Sequence, residues 1–66
     1  MAQPTADALI LHFLSYVHQA RGAYIERYLR KAWGRGAGTT RNALSRLVQE
    51  GRIQRVGYGM YRAKDR

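Results

Sequence analysis

The chain is predicted to fold as a mostly helical α+β domain, three short helices closed by a C-terminal two-stranded hairpin. Three observations carry that expectation. Apolar residues recur at helical spacing in three separate stretches. After Gly51 the period changes to that of strands, arranged around Gly57-Tyr58-Gly59. Glycines also fall at the joints between the stretches. The 66 residues allow one domain, read as 1–66 with an ordered core at about 5–63 and loose ends at 1–4 and 64–66. A chain this short buries only about 60% of the surface its unfolded form exposes. It has no Cys, which excludes disulfides and thiolate metal sites. Stability therefore rests on well-patterned packing of its 45% hydrophobic residues.

The first helix starts at Thr5, a capping residue, with Asp7 in the first turn where a negative charge suits the positive helix end. Ile10, Phe13, Leu14 and Val17 follow the i, i+3, i+4, i+7 rule, and Ala6, Leu9, Tyr16 and Ala20 extend the arc. His12, Ser15 and Gln19 face away, and Gly22 is read as the stop. Leu11 lies off the arc, either as a stray leucine or as a contact with a second subunit. Ala23-Tyr24 is read as a single extended step. The second helix, Ile25–Trp33, puts Ile25, Tyr28, Leu29 and Ala32 on one face and Arg27, Arg30 and Lys31 on the other. Gly34-Arg35-Gly36-Ala37-Gly38 makes a basic connection. Thr39 or Thr40 caps the third helix, which runs to Glu50 and stops at Gly51.

The apolar stripe of this third helix is Ala43, Leu44, Leu47 and Val48, with Thr40 alongside. Its other face carries Arg41, Asn42, Ser45, Arg46 and Gln49, with no acid before Glu50. The hairpin strands are 52–56 and 60–63. Ile53 and Tyr61 point to the core, Arg52, Gln54 and Arg62 point out, and strict alternation turns Arg55 inward unless a bulge releases it. Glycines flanking Tyr58 permit the positive φ that tight hairpin turns require.

Charge selects the function class. Twelve basic residues against four acidic ones give +8. So large a surplus on so small a body attracts polyanions. Ten of the twelve are Arg, whose fork matches phosphate oxygens and guanine edges. No apolar run approaches the roughly 18 residues of a membrane span. A signal peptide is not expected, because no basic segment precedes Leu9–Leu14 and Asp7 stands there instead. The expected location is the cytoplasm, in association with the nucleoid.

The segment Thr39–Ile53, with its Leu47-Val48-Gln49-Glu50-Gly51-Arg52-Ile53 corner and the glycine-tipped hairpin continuing through Tyr61, carries a resemblance. It resembles the recognition helix and wing of winged helix-turn-helix domains in small bacterial and archaeal transcription repressors. The likeness covers about residues 5–63 and is strongest over 39–62. It implies double-stranded DNA as the partner and places the N-terminal half of the third helix deepest in the major groove. Arg41, Asn42, Ser45 and Arg46, then Gln49, are thus the expected base contacts. Physics agrees, since Arg can fork onto guanine, Asn and Gln onto adenine, and Ser45 allows close approach. Arg27, Arg30, Lys31, Arg35, Thr39 and Thr40 are the backbone candidates, positioning without reading sequence. Arg55, Tyr58 and Arg62 are the wing candidates, reaching backbone or minor groove.

Catalytic readings fail on composition. His12 and His18 lie about 120° apart on a straight helix, and no paired carboxylate completes a site, so no metal, cofactor or enzymatic activity is expected. The glycine loop at 34–38 follows a helix and lacks the P-loop Lys, so it is not a phosphate-binding motif. Trp33 and Tyr28 are read as core. The leading expectation is a sequence-specific regulator, with a homodimer on a two-fold site as the economical way to specificity. The alternatives are a non-specific architectural DNA or RNA binder, a left-handed duplex reader, and a winged-helix protein-interaction module with an acidic partner.

Overall fold

A computed structural model describes residues 4–64; the loose ends expected at 1–3 and 65–66 lie outside the described residues. The order is α1 (Ala6–Val17), β1 (Gln19–Arg21), α2 (Gly22–Trp33), α3 (Ala37–Gln49), β2 (Ile53–Val56) and β3 (Met60–Ala63). Among the described residues the three helices pack around one core, and an antiparallel sheet in the order β1-β3-β2 closes one side. This is the expected α+β, winged-helix-like layout with one strand added.

That strand changes the reading of the α1–α2 junction. Thr5 caps α1 as expected, its Oγ1 accepting from the Ala8 N–H at 3.2 Å. The helix then ends at Val17, well before Gly22, and His18 turns the chain with φ 67° and ψ −47°. Positive φ is unusual for a residue with a Cβ, and nothing in the local pattern announces it. The turn is pinned at both ends: His18 N donates to Leu14 O at 2.9 Å, and His18 O accepts from Ala63 N at 3.2 Å. Residues 19–21 pair with β3 in the register Gln19–Arg62, Ala20–Tyr61, Arg21–Met60. Ala20 is buried, but from the strand and not from the α1 arc. Tyr16 and Val17, placed on that arc, are exposed.

Gly22 opens α2 instead of closing α1, and Ala23-Tyr24 lie within the helix. No side chain caps this start; the Gly22 N–H donates to the Gly59 carbonyl of the hairpin at 2.7 Å. A Cβ at Gly22 would lie 3.1 Å from Tyr61 Cε1, so a larger residue there would require the Tyr61 ring to shift by a few tenths of an ångström. α2 ends at Gly34 in the left-handed region, where the Gly34 and Arg35 N–H groups satisfy the Arg30 and Leu29 carbonyls.

α3 begins at Ala37 with Gly36 as its cap, about one turn earlier than a Thr39 or Thr40 cap would allow. Thr40 lies inside the helix, fully buried, and its hydroxyl donates to Gly36 O at 3.2 Å. Ala43, Leu44 and Leu47 are buried and Val48 half-buried, as the stripe predicts. They meet Leu9, Ile10 and Leu14 of α1, Ile25 and Leu29 of α2, Ala20 of β1 and Ile53 of β2 in a single cluster. Leu11 and Tyr28 pack half-buried against it, whereas Ala32 and Trp33 are exposed. No described helix is long and apolar enough to cross a membrane.

Candidate nucleic-acid interface

The buried stripe of α3 fixes what its other face presents. Arg41, Asn42, Ser45, Arg46 and Gln49 are all exposed. β2 and β3 pair as Ile53–Ala63, Gln54–Arg62, Arg55–Tyr61 and Val56–Met60. Antiparallel partners share a face of the sheet and neighbours alternate. Arg55 and Tyr61 therefore lie on the core side with Ile53, and Arg62 lies on the outer side with Gln54 and Gln19. Arg55 is turned to the core side, as strict alternation predicts, yet it stays exposed on β2, an edge strand of the sheet, its guanidinium 6.0 Å from the Tyr61 ring centre. Ser45, Val48, Gln49, Arg55 and Tyr61 together line a shallow groove of about 180 Å³. One wing arginine thus joins the α3 face, and Arg62 does not. Tyr58, at the hairpin tip, is fully exposed between Gly57 and Gly59, both at positive φ.

The backbone candidates divide as well. Arg27, Arg30 and Lys31 line a groove of about 600 Å³ with Ala23, Glu26 and Ala37, where the second helix faces the start of the third. Thr39 is exposed in the first turn of α3. A helix start without a capping side chain presents N–H donors and the positive end of the dipole toward the same groove. Thr40 is different: a hydroxyl with no exposed surface and an intrahelical bond has no access to a phosphate. Arg35 is half-buried and its Nη2 donates to Pro4 O at 2.6 Å, tying the α2–α3 turn to the chain before α1.

The α3 face carries no acid of its own before Glu50, but two reach it from neighbouring helices. Asp7 of α1 accepts from Arg46 Nε at 3.1 Å and also from its Nη2. Glu26 of α2 accepts from Arg41 Nε at 3.1 Å. The hydrogen bond to Asp7, backed by its charge, raises the Arg46 pKa above its usual value. These partners are 39 and 15 residues away in sequence, beyond any helical spacing. The scarcity of acids, four against twelve bases, is the one sequence signal that a carboxylate such as Asp7 or Glu26 has a cation within reach. No group of three metal-ligating side chains occurs among the described residues. Compared with known proteins, the chain matches no family model, no curated protein and no solved structure.

Proposed function

We propose that the chain binds double-stranded DNA sequence-specifically and acts as a small, non-enzymatic transcriptional regulator of the winged helix-turn-helix kind, working at the nucleoid. The observation that carries the reading is the continuous polar surface formed by the exposed face of α3 with Arg55 of the hairpin. A helix of this kind fits the major groove, where each base pair displays its own donors and acceptors. Asn42 and Gln49 suit adenine and Arg41 and Arg46 suit guanine, while Ser45 leaves room for close approach. Arg27, Arg30, Lys31 and Thr39 flank the start of the same helix and supply backbone contacts. Tyr58 and Arg62 take a secondary place, at the wing tip and on its outer side.

A single module of this type covers roughly 600–1,000 Å². A homodimer on half-sites about one duplex turn apart would multiply that specificity. Selection from a random duplex library with the free protein tests both claims: one enriched motif supports specificity, and a palindromic motif supports the dimer. Amide shift mapping with the selected duplex should move residues 41–49 and 55. Unmoved amides there, with another patch responding, would overturn the assignment. Binding that tracks salt alone, with no enriched motif, would leave the non-specific architectural reading.

A further inference from the structure

Two of the few carboxylates in this basic chain are placed against two arginines of the α3 face, one from each flanking helix. Among the described residues, Arg27, Arg30 and Lys31 form no ion pair. Exposed ion pairs add little to stability, so the pairs are better explained by what they do to the arginines. The geometry is directional. Arg46 and Arg41 side chains are 52% and 71% exposed, while their carboxylate partners are each 22% exposed. The acids stand behind and the guanidinium groups in front.

A guanidinium has five N–H donors. Asp7 takes the Nε/Nη2 side of Arg46, which leaves both Nη1 hydrogens and one on Nη2. Glu26 takes only Nε of Arg41. In both, the terminal Nη1/Nη2 edge remains available, and that edge can fork onto guanine O6 and N7. What the carboxylate does remove is net charge. A phosphate is attracted chiefly by charge, through counterion release; a base edge is neutral and is recognised by the direction of its donors and acceptors.

We propose that Asp7 and Glu26 are specificity-determining residues, which make Arg46 and Arg41 poor phosphate ligands while holding their outer donor edges toward the bases. This rests on the DNA-binding reading above and assigns two residues that need not touch DNA. Arg27, Arg30 and Lys31, with no such partner among the described residues, keep their full attraction for the backbone.

Two double-mutant cycles in the full chain test it, read by anisotropy on a mixed-sequence duplex between about 50 and 200 mM salt and by library selection. Asp7→Asn should tighten binding to the mixed-sequence duplex, steepen its log–log salt slope by about 0.9 as one more phosphate is engaged, and blur the selected motif. In the Arg46→Ala background the same change should leave slope and motif nearly unaltered. Glu26→Gln with Arg41→Ala forms the second cycle and should behave alike, which covers loss of folding in either one. An equal gain with and without the arginine would mean bulk charge alone and overturns the inference, as does no gain at all. If the unaltered chain binds no duplex at about 50 mM salt, the DNA-binding reading falls as well, so the two failures are distinguishable.

Discussion

The basic ridge of α2 and the polar face of α3 use the same side chain in two electrostatic settings. On α2, Arg27, Arg30 and Lys31 line one open groove, with no ion pair among the described residues. On α3, Arg41 and Arg46 are each engaged by a carboxylate and interleaved with Asn42, Ser45 and Gln49. The first arrangement maximises charge and is indifferent to orientation. The second gives up charge and fixes orientation. On the proposed DNA-binding reading, they would separate affinity, which salt screens, from discrimination, which depends on where donors point.

The largest test removes the scaffold that both surfaces share. Leu47 has no exposed surface and sits where α3 meets α1 and α2 in the core cluster. Leu47→Ala should cost about 2–5 kcal/mol through lost burial and the cavity left behind. A domain this size has only about 3–10 kcal/mol in total. Urea or thermal unfolding should show most of the stability gone, with DNA binding by both surfaces lost together. Binding that persists under conditions where the variant is unfolded would show that the α2 ridge works without α3 in place.

Next comes the contrast itself. Replacing Arg27, Arg30 and Lys31 together with alanine should flatten the salt slope by about 2.7, or 0.9 per phosphate released. Affinity should fall for every duplex alike and the selected motif should stay the same. A changed motif would place the ridge among the bases and erase the distinction between the two helices. All three side chains are exposed, so stability should move by no more than about 0.5 kcal/mol.

Much of this was legible in advance because the C-terminal half writes its turns in glycine. Gly34, Gly51, Gly57 and Gly59 all adopt positive φ at or beside an expected joint. The α3 stripe is apolar at every position that becomes buried except Thr40. The N-terminal junction used other means. His18 takes a left-handed turn that sequence rules assign to glycine, and Gln19–Arg21 is too short for alternation to show. Its partner, β3, lies about forty residues downstream, so only the tertiary fold could define that strand. The ion pairs of Arg41 and Arg46 were hidden for the same reason. His18→Gly is the matching test: relief of the strained φ should outweigh the entropy glycine adds to the unfolded chain, a net gain of about 1 kcal/mol. Tm should rise by about 4–8 °C. Because His18 belongs to neither basic surface, duplex affinity and motif should not change, which makes it the control for stability without recognition.

The smallest effect concerns the one polar side chain of α3 that is not on its outer face. If α3 reads DNA as proposed, a threonine in its first turns is expected to reach a phosphate, and Thr39 is exposed. Thr40 is one residue further round the helix, about 100° away, which is enough to send it into the core between helices. There its hydroxyl donates to Gly36 O and the side chain has no exposed surface. Thr40→Val keeps the shape and removes only the donor. The acceptor left behind, Gly36 O, also receives the Thr40 N–H at 3.1 Å, so it is not orphaned. The cost should therefore sit at the low end for a lost hydrogen bond, about 0.5–1 kcal/mol, read as a modest drop in Tm. Duplex affinity and salt slope should match those of the unaltered chain. A slope flattened by about 0.9 would instead mean that Thr40 rotates out to the backbone on binding, and that the first turn of α3 repacks when DNA is engaged.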